Sequence, residues 1–119
     1  MRFYDRAELA GLSGIVHLTL GDPAAAEADA HHALALLRPG LDRNRRMYTL
    51  ELARAQLAQG DVEQACATAV LDTPDRRAPT GRTAELLGLF RTELVTAAPD
   101  SRHTRDWSAR ARDTHTKRE

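Results

Sequence analysis

Four residues draw a metal or nucleophile reading first: His17, the adjacent pair His31 and His32, and the single cysteine Cys66. Holding one ion from a helix requires side chains a turn apart, whereas neighbours in sequence point about 100° away from each other. His31 and His32 therefore read as solvated or half-buried residues, His17 reads as a wedge between two helices, and no metal site is expected. Cys66 with a His and an Asp could form a nucleophile set, but no local motif supports it, and beside the small residues of a packed helix it reads as a small hydrophobe. The glycines are isolated and form no phosphate-cradling loop. No catalytic residue and no cofactor are expected, and the chain does not read as an enzyme.

Charge narrows the partners. The 119 residues carry 17 basic and 17 acidic side chains, so no net field draws in nucleic acid or an anionic membrane. The cluster Arg43, Arg45 and Arg46 could hold a phosphate or an acidic peptide, but a solvated, acid-flanked loop is the plainer reading. A lone cysteine fits a reducing cytoplasm, and no apolar run approaches the roughly 18 residues of a spanning helix. A soluble cytoplasmic protein is expected, without direct nucleic-acid contact and without a membrane partner.

The elements that would position any site are helices. Apolar content comes mainly from Ala and Leu, a composition suited to helices packed closely on one another. In the first segment, Leu9, Leu12, Val16 and Leu20 fall at steps of three and four and predict one buried stripe. Gly11 and Gly14 suggest that a second helix approaches closely. Gly21 then suits a helix end, Asp22 a helix cap, and Pro23 a first helical position. The next helix should bury Ala26, Ala30, Ala33, Leu34 and Leu37, and stop at Arg38-Pro39-Gly40. A connector, Leu41–Arg46, leads to a third helix with Met47, Leu50, Ala53 and Leu57 inward. Gly60-Asp61 repeats the turn, and a short fourth helix runs from Val62 to about Leu71. A loop over Asp72–Arg82 precedes a fifth helix, capped by Thr80 or Thr83, whose apolar stripe is Leu86, Leu87, Phe90, Leu94 and Val95. A short helix around Trp107 is conceivable, but 99–119 reads as a charged, largely disordered tail.

Gly21-Asp22-x-x-x-Ala26 recurs as Gly60-Asp61-x-x-x-Ala65, 39 residues on. With Gly14 and Ala33 in the first copy and Ala53 in the second, these residues resemble tetratricopeptide repeats with a lengthened connector. The resemblance implies an all-α fold of antiparallel helical hairpins, 5–38 and 46–71, stacked as a short right-handed solenoid with a capping helix at 82–98. The repeat's large aromatic slots hold Ala10, His17, Thr49 and Gln56, and Asp72 replaces its last small residue. More narrowly, LGDPAAAEADAHHALALLRP, LAQGDVEQACATA and RTAELLGLFRTEL are similar to the carboxy-terminal repeat region of actinobacterial Xre-type transcriptional regulators. No DNA-reading helix precedes Asp5, so this likeness implies the sensing portion alone.

By the repeat alignment, the concave peptide-contact positions are Glu8, Gly11, Ile15 and Thr19, followed by Met47, Leu50, Arg54 and Ala58. Arg54 is the single cation among them, which predicts a mixed apolar groove with one charge contact. The competing reading is that Met47 and Leu50 simply pack against the neighbouring hairpin. The expected function is protein or peptide binding, as the interaction part of a regulator without its DNA-binding domain. The alternatives are a self-associating scaffold, such as a homodimer, and a truncated gene remnant.

Overall fold

Two nearly identical turns shape the first half of the chain. Gly21 adopts φ +81° and Gly60 φ +88°, a region that costs a residue with a Cβ. The backbone N–H groups of Gly21 and Asp22 donate to the carbonyls of Leu18 and His17, and those of Gly60 and Asp61 donate to Leu57 and Gln56. Both turns are thus Schellman closures that satisfy the last carbonyls of a helix. The same aspartates then start the next helices. Asp22 accepts from the Ala25 amide and Asp61 from the Gln64 amide, each at 3.2 Å.

The computed structural model describes residues 5–70 and 81–116, and over them the chain is all-helical. Six helices follow in order: α1 (Arg6–Thr19), α2 (Pro23–Leu36), α3 (Asp42–Ala58), α4 (Val62–Thr68), α5 (Gly81–Ala97) and α6 (Arg102–Thr116). α3 is the hub and packs against α2, α4 and α5, while α1 lies mainly on α2 and α6 mainly on α4. The main core joins Leu50, Ala53 and Leu57 to Ala65, Cys66 and Ala69, and to Leu86, Phe90, Leu94 and Trp107. A second cluster, Ala7, Ala10, Ala33, Leu37 and Tyr48, sits where α1, α2 and α3 meet.

α1 buries the opposite set of residues from the one its leucines predict. Its inward face is Ala7, Ala10, Gly11 and Gly14. A Cβ on Gly11 would lie 2.5 Å from Tyr48 Cε1, and one on Gly14 would lie 3.3 Å from Asp29 Cβ. Close helix approach selects the smallest residues for the interior, and Leu9, Leu12, Val16 and Leu20 are left outside.

Other boundaries move less. α3 begins at Asp42, so most of the expected connector is helical; Asp42 is an acidic residue in the first turn, and the arginines behind it are good helix formers. α4 ends at Thr68, short of Leu71. The expected loop over Asp72–Arg82 and the candidate cap Thr80 lie mostly outside the described residues. Thr83 is buried within α5 and Val95 is half exposed.

Most of the expected disordered tail is instead a helix. α6 occupies Arg102–Thr116 and opens with the Ser101 hydroxyl accepting from the His103 amide. It is anchored by Trp107, which is buried with its ring edge-on to Phe90 at 5.1 Å and its indole N–H donating to Ala69 O. One tryptophan at the right place holds down a helix of otherwise polar composition.

Two of the contacts between hairpins fall at or within one residue of the 39-residue interval. Arg54 meets Glu93, 39 residues on, and Ala69 meets Trp107, 38 residues on, matching the interval from Gly21 to Gly60. The result is a flat molecule of 46 × 32 × 19 Å.

Candidate functional site

The most conspicuous surface is the outer side of α1. Leu9 is 53% exposed, Leu12 44%, Val16 54% and Leu20 75%, all along one line of the helix. A buried Leu or Val side chain contributes about 1.5–3 kcal/mol, so this stripe leaves several kcal/mol of apolar burial unrealised. Scattered exposed apolar residues are ordinary, whereas a contiguous line of four makes this face the candidate contact surface. α1 can present this line because its small residues face α2 and α3.

The expected concave groove divides between surface and interior. On α1, Glu8 and Ile15 are half-buried and Thr19 is exposed, its hydroxyl turned back onto the Ile15 carbonyl at 2.9 Å. On α3, Leu50 is 0% exposed and part of the main core, and Met47 packs partly buried against the same cluster. Gly11 is covered by Tyr48, and Ala58 is exposed. The guanidinium of Arg54 is gripped by Glu93 of α5, with Nε and one terminal nitrogen each 2.8 Å from a carboxylate oxygen. That bond holds Arg54 still more firmly in its charged form. Leu50 and Arg54, expected to supply the groove's apolar and charged contacts, thus serve the fold's own packing.

Beside this pair sits a residue that no sequence motif marked. Glu51 is 8% exposed, and its Oε2 is buried without a hydrogen-bond partner. Desolvation pushes its carboxyl up to about 7, against the opposing pull of Arg82 and Arg54. Tyr48, one turn earlier, is also pushed up, by burial first and then by the charges of Glu51, Asp5 and Glu8. Glu51 looks like an ordinary solvent-facing helix residue in sequence; only the tertiary fold buries it.

His17, Ser13 and Asp29 come together in a set that superficially suggests nucleophilic catalysis. Asp29 Oδ2 lies 2.6 Å from His17 Nδ1 and accepts from the Ser13 hydroxyl at 2.8 Å. A catalytic relay needs the carboxylate on one ring nitrogen and the hydroxyl on the other. Here the hydroxyl and the carboxylate both gather at Nδ1, and the serine hydroxyl donates its hydrogen bond to the carboxylate and not to the ring. The set is a clasp between α1 and α2, which agrees with His17 reading as an interhelix wedge.

Gln56, 39 residues beyond His17, plays the matching part in the second hairpin. Its carbonyl accepts from the Thr68 hydroxyl at 2.7 Å, and its amide donates to Glu27 at 3.3 Å, tying α4, α3 and α2 together. The other Glu27 oxygen accepts from Gln59 at 2.7 Å, the first cause of a carboxyl held below its usual value, and His31 stands beside it. His32 is exposed.

Cys66 is buried, and burial pushes its thiol up, away from the thiolate that nucleophilic chemistry requires. Among the described residues no group of three or more His, Cys, Asp and Glu side chains could hold a metal ion. No helix there is long and apolar enough to cross a membrane. Compared with protein-family models, with curated proteins and with solved structures, the chain gives no match to any.

Proposed function

We propose that this chain is a protein-binding module of stacked helical hairpins in the tetratricopeptide manner, serving as the interaction or sensing part of a transcriptional regulator. The arrangement is supported by the 38- and 39-residue spacing of the Ala69–Trp107 and Arg54–Glu93 contacts. By that spacing α5 and α6 form a third hairpin, its turn occupied by Ala98-Pro99-Asp100 where the earlier two carry Gly-Asp. Three hairpins meet the minimum at which such arrays bury a continuous core.

The observation that carries the binding reading is the exposed line Leu9, Leu12, Val16 and Leu20. In this reading the primary contact surface is the outer side of α1, flanked by Glu8, Ile15 and Thr19, and Met47, packed against the main core, stands apart from it. Leu50 and Arg54 belong to the packing of α3 on α5 and lie outside that surface. Catalysis has no comparable support, since the serine–histidine–aspartate set of Ser13, His17 and Asp29 has a geometry unsuited to proton relay.

A photo-crosslinking amino acid in place of Val16, compared with the same group in place of exposed Ala84 on α5, tests this in the cell that makes the protein. The reading predicts a discrete protein adduct from position 16 and none from position 84. No adduct from position 16 would contradict it.

A further inference from the structure

We propose that Arg82 is the movable half of a latch between α5 and α3: when Glu51 loses its proton, Arg82 leaves Glu85 and pairs with Glu51, tying the first turn of α5 to α3. Glu51 is the group that needs such a partner. It is more than nine-tenths buried on α3, and its Oε2 meets no hydrogen-bond partner among the described residues. A neutral carboxylic acid tolerates that position, whereas an unpaired buried carboxylate is costly, and the cost falls when a cation comes to it.

Two guanidiniums act on Glu51, Arg82 more strongly than Arg54, and each is held by another carboxylate. The two grips differ. Arg54 is bound to Glu93 through two bonds of 2.8 Å, with 16% of its side chain exposed. Arg82 is bound to Glu85 by one contact of 3.2 Å, three residues along its own helix, with the two side chains 42% and 67% exposed. An exposed pair of this kind contributes little and is readily exchanged, whereas a largely buried bidentate pair is not. Arg82 also comes from a different helix than Glu51, while Arg54 shares α3 with it. The start of α5 lies against α3, since a Cβ on Gly81 would be 3.4 Å from Arg43 Nη2. Exchanging Glu85 for Glu51 thus turns a bond within α5 into a bond between α5 and α3.

The other charged groups packed around α3 bring no third cation to Glu51 among the described residues. Tyr48, one turn before Glu51, is kept neutral by burial first and then by the negative charges of Glu51, Asp5 and Glu8, the last two at the start of α1. Glu27 of α2 is taken by Gln56 and Gln59, with His31 beside it, and Glu63 of α4 faces His103 of α6. Burial holds the Glu51 carboxyl up at about 7, so the latch works around neutral pH, open below it and closed above it.

The test is nuclear magnetic resonance on the full chain between about pH 5 and about pH 9, following the Glu51 carboxyl carbon and the guanidinium carbons of Arg82 and Arg54. The Glu51 signal should titrate near neutral pH, and the Arg82 signal should move with the same midpoint while the Arg54 signal holds still. Glu51→Gln should abolish the movement of Arg82. Arg82→Gln, at an exposed position, should leave helical circular dichroism unchanged and raise the Glu51 midpoint by about one pH unit, and Arg82→Lys should undo most of that rise. An Arg82 signal that ignores pH, or one that moves equally in Glu51→Gln, would overturn the latch. So would movement of Arg54 in place of Arg82, or a Glu51 midpoint unchanged by Arg82→Gln.

Discussion

Glu51 is the residue whose chemistry departs furthest from its position in the sequence. Its ordinary pKa is 4.5, and burial with an unpartnered Oε2 raises it to about 7 in the fold. The folded state therefore binds a proton that the unfolded chain has released between these values. The associated stability is complete below about pH 4.5 and is lost as pH rises through about 7. Glu51→Gln removes the charge while nearly keeping the shape. We expect this variant to be more stable than the parent above pH 7, by up to about 3 kcal/mol, with the difference closing as pH falls toward 4.5. Urea unfolding of both proteins across pH 4–8 measures it, and a difference independent of pH would refute the assignment. None of this was legible beforehand, because Glu51 belongs to a polar-looking helix and its burial is a tertiary fact. Cys66 and His17 were legible, one as a small hydrophobe and the other as an interhelix wedge, since each reading needed only local neighbours.

At the scale of elements, the turns were the most readable part. Gly21-Asp22-Pro23 and Gly60-Asp61 state their own geometry through a left-handed glycine followed by a capping carboxylate. The orientation of α1 was not readable. Its leucines and its small residues lie on different faces, and hydrophobic spacing alone favours the larger residues as core. Close approach of α2 and Tyr48 favours the smaller ones, and that steric demand decided it. α6 was underestimated for a related reason, since its apolar period is almost entirely Trp107. Trp107→Ala should cost roughly 3–5 kcal/mol, the usual cost of emptying a buried aromatic site. Because α6 leans on Ala69 and Phe90 through this ring, amide exchange should rise throughout α6 while α1 to α3 keep their protection. Equal protection of α6 in the variant would show that other contacts hold the helix.

At the scale of the whole molecule, the all-helical class followed from composition, and the 39-residue interval followed from the two Gly-Asp turns. The third hairpin proposed for α5 and α6 was hidden because Pro99 stands where a third Gly-Asp turn would place its glycine, although Asp100 stands where it would place its aspartate. The concave groove was legible only as a register of positions. Whether a position such as Leu50 or Arg54 faces a ligand or a neighbouring helix depends on how tightly the hairpins close, and here they close enough to take both side chains. What remains outward is α1, and the account turns on that face being covered when the protein is at work. Cys66, the single cysteine, is buried, so a cysteine introduced in place of Val16 becomes the one readily labelled thiol. The decisive measurement is its maleimide labelling rate inside the producing cell, set beside that of Ala84→Cys and repeated on purified, dilute protein. We predict slow labelling of Val16→Cys in the cell, fast labelling of Ala84→Cys, and equal fast labelling of both after purification and dilution. Fast and equal labelling of both in the cell would mean that the stripe stands open to water, contradicting its role as a contact surface.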